Sequence, residues 1–433
     1  GRPVRRLDCR TVASVGSFPM SDGSHSVAKT VFATLSGEVM GRAALLGLNF
    51  FVANRLGAGR YGQMGILLAA ASMLQPLADM GLTHLALRSL SETGGEHRFP
   101  LFLALKSAGS LLFFLVLAIW TRCLGVEVSA LGFMLAGLFI LLTTWGDFFR
   151  QILRARHMAV IESWMRLAFI AGACAGAVLM ATLAPTPGLA LVCISIAPLS
   201  LCIGYGLALA WSGLPHMPSL VGAGSFLHQN GMVSLGSMTY LLLVAAIMRL
   251  DVWMVHHFLG STATGAWLSA YNLVYAGAFL AQGLASVAIP RLMDPSSSPA
   301  RVLWKVWRLQ IGLAGGLFLG VQVFGPRVFQ LVFRSADFRT AVQVVPLLGG
   351  MLAVSTLVVL SYFLFLVAGR LWSFLSLLAV AVCVKTCLGF VLVPRFGLRG
   401  VAWSGLLSEG PELLAAAWWG SRLYLDWRRK TAV

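Results

Sequence analysis

Arg55-Leu-Gly-Ala-Gly-Arg-Tyr-Gly62 and Phe258-Leu-Gly-Ser-Thr-Ala-Thr-Gly265 occupy matching places in one chain. Each follows a long apolar run and precedes another. Aligning Gly62 with Gly265 gives an offset of 203 residues, close to half of the 433. Repeated halves that both start from one side of a bilayer pack about an axis along the membrane normal, with a cavity between them. The first copy formally satisfies G-x-G-x-x-G, but that pattern binds a dinucleotide only after a β-strand and at the opening of a helix in a βαβ unit. Between two membrane helices it reads as a tight turn, where glycine's access to positive φ is what matters.

Composition agrees with a membrane setting. Of the residues, 58% are hydrophobic and 11% charged, against roughly 45–50% and about 25% in a soluble domain. So little charge cannot cover a globular body of this size, which excludes a water-soluble enzyme and the disordered, collagen-like and disulfide-rich classes. The net charge of +17 would point to nucleic acid in a soluble chain. Here the basic residues lie mostly in short loops between apolar runs, where they set orientation, and no nucleic acid partner is expected. The cysteines Cys9, Cys123, Cys174, Cys193, Cys202, Cys383 and Cys387 form no C-x-x-C, so they read as small buried hydrophobes. His256 and His257 are adjacent and lack the i, i+4 spacing of a helical metal pair.

A membrane helix needs about 20 mostly apolar residues. Twelve such runs are legible: 32–54, 63–88, 100–121, 129–149, 160–183, 187–211, 231–254, 264–289, 303–325, 341–367, 371–393 and 399–424. The expected fold is an all-α integral membrane protein, with about 12 transmembrane helices in two pseudo-symmetric six-helix halves around a central cavity. The segments are 1–29 (cytoplasmic), 30–212 (first half), 213–230 (cytoplasmic linker), 231–425 (second half) and 426–433 (cytoplasmic tail). Residues 1–29 hold no long apolar stretch, so a secretory signal of the usual form is not expected. Met20 reads as a start codon residue, with 1–19 an upstream extension. Most Lys and Arg, Lys106 and Arg150 among them, fall on the segments that are inner if the N-terminus is cytoplasmic; Arg55, Arg60 and Arg122 are among the fewer outer ones. Both termini are therefore expected in the cytoplasm of a bacterial inner-membrane protein. The gaps between spans leave no room for a catalytic or nucleotide-binding domain, so the chain is not expected to be an enzyme.

Charges inside spans are costly, at about 2.5–3.5 kcal/mol each on insertion scales, and mark cavities or partners. Glu38, Arg42 and Asn49 share one face of the first span, and Glu38 to Arg42 is the favourable i, i+4 order for an ion pair. Arg249 and Asp251 lie on opposite sides of the seventh span and cannot pair with each other. Asp79 in the second and Lys385 in the eleventh have no partner visible in sequence. A structural ion pair is the competing reading for each. Arg249, Lys385 and Arg42 in a low-dielectric cavity suit an anionic substrate. Arg150, with Arg154, is placed to meet phosphate at the inner mouth, or simply serves as positive-inside charge.

The run Ile247-Met-Arg-Leu-Asp-Val-Trp-Met-Val255, then Phe258-Leu-Gly260 and Gly265-Ala-Trp-Leu-Ser-Ala-Tyr-Asn272, resembles the seventh and eighth helices of the polysaccharide transporter (O-antigen flippase, Wzx-like) family. That family belongs to the multidrug/oligosaccharidyl-lipid/polysaccharide (MOP) exporter superfamily. Leu77-Ala-Asp-Met-Gly-Leu82, Leu364 to Arg370 and Val393-Pro-Arg-Phe-Gly-Leu-Arg-Gly-Val401 are similar to its second helix, the end of its tenth and its last turn. The resemblance covers about residues 35–425. It implies export of an undecaprenyl-pyrophosphate-linked oligosaccharide to the outer leaflet by alternating access, for O-antigen, capsule or exopolysaccharide. It further implies membrane lipids, a polysaccharide polymerase and chain-length proteins as partners. No cofactor is expected; coupling to H+ or Na+ through Asp79 or Asp251 is an alternative to drive by membrane potential. The rival within the superfamily is a cation-coupled multidrug antiporter, for which unpaired carboxylates in the cavity are expected. Lipid II flippases would carry fourteen helices, and a membrane glycosyltransferase or polymerase would need a long outer loop.

Overall fold

The computed structural model describes residues 24–91, 95–123, 130–155, 158–211, 218–281, 284, 299–367 and 371–431. Met20, with Pro215 and His216 of the expected linker, lies outside them. Among the described residues all regular structure is helical. In chain order the helices are α1 Ser24–Met73, α2 Gln75–Asp79, α3 Leu82–Ser91, α4 Phe99–Cys123, α5 Ala130–Ala155, α6 Ala159–Thr182 and α7 Pro187–Trp211. They continue as α8 Ala223–Tyr275, α9 Pro299–Val332, α10 Arg339–Val342, α11 Val345–Val367, α12 Leu371–Phe396, α13 Leu398–Ser408 and α14 Gly410–Thr431.

Helix α4 shows what solvent the protein is built for. Lys106 is wholly buried, whereas Leu111 is 73% exposed and Leu115 and Ile119 are more than half exposed. That inversion is unfavourable in water, but lipid tails are as apolar as leucine and leave such a face at no cost. Seven of the described helical segments are long and apolar enough to cross a membrane, and an eighth if the bent pair Ala336–Val342 and Val345–Val359 forms one span. The chain is a multi-pass integral membrane protein. Several of the twelve expected runs are joined or divided here. α8 carries the seventh span and the start of the eighth across one kink, α1 joins the first to the start of the second, and the second and last are each broken.

The two kinks are the two quoted turns. Gly57 has φ 74 and ψ 166, and Gly260 has φ 80 and ψ −179, a region open essentially to glycine alone. The turns also meet. A Cβ on Gly62 would fall 1.9 Å from the Ser261 carbonyl oxygen, and one on Gly265 would fall 1.9 Å from that of Ala58. Each contact becomes the other when shifted by the repeat, and Gly65 faces its own equivalent, Leu268. The duplicated turns are packed about a local two-fold, backbone against backbone.

By its internal contacts the chain divides into Asp22–Leu268 with Ser335–Phe338, and Ser269–Arg334 with Arg339–Val433. In the first unit α6 and α7 form an antiparallel hairpin in which Gly172 and Gly176, a G-x-x-x-G pair, face the backbone of Ala197 and Cys193. Small residues at that spacing let membrane helices touch along their backbones. The second expected span is broken instead of continuous. Pro76 opens α2, left-handed Met80 and Gly81 close it, and Ser234 of α8 donates to the Met80 carbonyl. In the second unit α9 packs against α11, α11 against α14, and α12 turns into α13 at Gly397.

Candidate functional site

The break after α2 sets Asp79 at the end of a short buried helix, at the edge of a cleft of about 350 Å³. Its lining includes Gln75, Asp79, Thr83, Asp147, Arg150 and Arg249, so three of the residues singled out in the sequence meet in one place. Asp79 accepts from Lys106 Nζ at 2.7 Å and from the Thr83 hydroxyl. Lys106, placed at an inner segment by the charge pattern, is instead buried within α4, and Phe148 lies 5.5 Å beneath its ammonium. The partner that the sequence did not show is thus a base 27 residues further on, on another helix, and the structural ion pair is the reading this contact favours. Removing ions from water costs several kcal/mol each, and the attraction offsets that only with good geometry and further hydrogen bonds. The 2.7 Å contact, the Thr83 hydroxyl and the Phe148 face provide both.

Arg150 bridges to Asp147 at 2.8 Å, one turn apart on α5. Both also line a second hollow of about 220 Å³, with Arg42 and Arg166. Arg166 is in turn held by Glu162 at 3.4 Å. Arg249 lines the cleft whereas Asp251 is buried, as their opposite placement on the helix requires. Asn49 donates to the Leu45 carbonyl on its own helix. The side chains of Glu38 and Arg154 lie outside the described residues.

Lys385 belongs to the second unit, buried in α12. There it lies within electrostatic reach of Glu412, as does Glu409. Ser355 donates to Glu409 Oε1 at 2.6 Å and is joined to the Tyr275 hydroxyl at 3.2 Å. Neither glutamate was expected to matter. Their signal was the Gly410-Pro411 pair that separates them, since Gly-Pro inside an apolar run marks a helix break.

No protein-family profile matches the chain, and no curated protein matches it in sequence. Solved structures do match in fold. The MATE multidrug transporter DinF-BH aligns with a TM-score of 0.67 at 14% identity, over 93% of this chain and 97% of that one. A mutant of the Vibrio cholerae MATE transporter VcmN gives 0.62 at 14% identity, over 93% and 98%. A MOP superfamily transporter from Pyrococcus furiosus, described by a binding pocket of reverse polarity that suggests a different function, gives 0.60 at 15% identity, over 92% and 96%. At such identities the likeness is one of fold: the chain folds as the MATE transporters of the MOP superfamily do.

Proposed function

We propose that the chain is a cation-coupled exporter of small amphiphilic organic compounds, working by alternating access between two six-helix halves, 30–212 and 231–425, without ATP hydrolysis. The observation that carries this is the extent of the fold likeness, which takes in nearly the whole of this chain and of each multidrug transporter. A match across only one bundle would not support a common transport cycle. The reading takes both termini as cytoplasmic, in a bacterial inner membrane. It moves the leading substrate class from sugar lipids to multidrug-type compounds, with H+ or Na+ as the coupling ion. The test is accumulation of ethidium by everted membrane vesicles containing the protein, under an imposed proton or sodium gradient. Accumulation that collapses with the matching ionophore is expected; its absence under either gradient overturns the reading.

A second reading has one observation in its favour. Arg42, Arg150 and Arg166 face the smaller hollow, with Asp147 as its acid, a balance that suits a pyrophosphate. A doubly negative headgroup leaving a negative cytoplasm would gain roughly twice the 2.3 kcal/mol that one charge gains per 100 mV. Deleting the gene in its host distinguishes the two. Undecaprenyl-linked repeat units building up inside, with loss of surface polysaccharide, favour the flippase; intact polysaccharide with greater drug sensitivity favours the antiporter.

A further inference from the structure

The second unit carries a cleft of about 780 Å³ where α9 ends and α10 begins. Its floor is the aromatic pair Phe329 and Phe333, both buried, with ring centroids 4.8 Å apart. Its rim includes Gln330, Arg334, Arg339, Thr340 and Gln343, all exposed. The volume is in the range of roughly 300–1,000 Å³ in which proteins hold small organic ligands. Among the described residues the lining includes no carboxylate.

The rim is built mostly of hydrogen-bond donors. The side chains of Arg334 and Arg339 make no ion pair or hydrogen bond among the described residues. Arg399, from α13, donates from Nη2 to the Gln343 Oε1 at 2.9 Å. That bond fixes the amide oxygen toward Arg399 and leaves the N–H groups of Gln343 to offer. The ordinary role of surface arginines beside a membrane helix is to set orientation. On the orientation taken above, however, this end of α9 faces outward, where Lys and Arg are normally depleted. Arg55 and Arg60, on the same side, are accounted for by the carbonyls of Ala181 and Pro185. Arg334 and Arg339 have no such use.

Apolar surface leads up to the cleft. Leu319 and Val323 are 62% and 56% exposed on α9, a helix long and apolar enough to cross the membrane. At 100° per residue they fall within about 40° of Gln330, so one face of the helix runs from them to the rim. From Leu319 to Gln330 the helix rises about 16 Å, close to half of the roughly 30 Å hydrocarbon layer. A ligand with a fatty chain along that face and an acceptor-rich anionic head at the arginines matches both parts. Phosphate suits the head, because guanidinium groups present paired N–H donors to its oxygens. Basic pockets beside transmembrane helices bind acidic lipid head groups in this way.

We propose that this cleft binds one acidic phospholipid, its phosphate held by Arg334, Arg339, Thr340 and Gln343 and its acyl chain laid on Leu319 and Val323. A free phosphate lacks the part that the apolar face meets, and a zwitterionic lipid brings its own cation against the arginines. The site goes beyond the exporter reading and does not depend on it.

The test is native mass spectrometry of the purified full chain in detergent, with dioleoylphosphatidylglycerol or dioleoylphosphatidylcholine added at equal concentration. The phosphatidylglycerol adduct should be retained at least fivefold more than the phosphatidylcholine adduct, and Arg334→Gln/Arg339→Gln should lose that preference. Lys305→Gln/Arg308→Gln removes the same charge from exposed positions near the other end of α9 and should keep it. A preference unchanged in Arg334→Gln/Arg339→Gln, or lost equally in the control, overturns the proposal. If the double variant does not fold, the two single variants replace it, and native-like preference in both overturns the proposal as well. Glycerol 3-phosphate, at the same concentration as the lipid, should not displace it. Displacement overturns the lipid as occupant and assigns a site for a free phosphate.

Discussion

Asp79 and Glu412 are acids buried to nearly the same depth, at 6% and 4% exposure, in apolar helices on either side of a helix break. Their surroundings differ in one respect. Asp79 has a base at 2.7 Å and a hydroxyl donor, while Glu412 has no donor to its Oε1 among the described residues, with Glu409 and Lys385 within electrostatic reach. A closed pair of opposite charges has no reason to exchange an ion. The comparison separates an acid fixed by a base and a hydroxyl from one whose buried oxygen has no donor among the described residues, although in sequence both are acids in an apolar run.

The largest effect is expected at the closed pair. Lys106→Met strips Asp79, which is only 6% exposed, of its base, and should lower stability by about 3–5 kcal/mol. Adding Asp79→Leu should recover most of that loss, because an apolar pair of similar volume does not need the missing charge. Thermal unfolding in one detergent, for both single variants and the double, measures this as a cycle. A double variant no better than the single would mean that the ion pair itself fixes the break after α2.

Next come the packed turns, where the two halves of the repeat can be compared directly. Gly62→Ala and Gly265→Ala each place a methyl group 1.9 Å from a backbone oxygen, which no rotamer change relieves. About 1–3 kcal/mol is expected for each. The informative quantity is their similarity. Equal losses fit a local two-fold at the turns, and a large inequality breaks it. A smaller change is expected at the open cluster. Glu412→Gln alters a buried carboxylate whose Oε1 has no hydrogen bond to lose among the described residues, so stability should fall by less than about 1 kcal/mol or rise. A loss as large as that of Lys106→Met would erase the difference between the two acids.

These contrasts also show what a linear reading can reach. The membrane class and the paired turns were legible, because apolar content and a glycine that no other residue can replace are local properties. Gly57 and Gly260 could be matched by offset before any coordinates existed, and both adopt the same backbone conformation. The pairing of Asp79 with Lys106 was not legible. It depends on which face α4 turns toward α2, and Lys106 begins an apolar helix where it looks like a loop charge. Helical geometry puts Arg249 and Asp251 on opposite sides of their helix, but only packing decides which one meets the cleft. Glu409 and Glu412 were overlooked because the last span was taken as unbroken, despite the Gly-Pro between them.

The smallest predicted effect concerns the asymmetry between the two turns. In the first, Arg55 donates to the Ala181 carbonyl at 3.0 Å and Arg60 to that of Pro185 at 2.9 Å, at the end of α6 and just beyond it. The second turn has Phe258 and Ala263 at the equivalent positions, so it has no guanidinium to offer. The last carbonyls of a helix lack intrahelical donors and carry its negative end, where a cation contributes about 0.3–1 kcal/mol. Arg55→Ala should therefore lower the unfolding temperature slightly, by an amount that shrinks as salt is added, because the contact is exposed and screened. Phe258→Ala can cost packing but should show no such salt dependence. If the two substitutions respond to salt alike, the arginines of the first turn serve orientation in the membrane and not the end of α6.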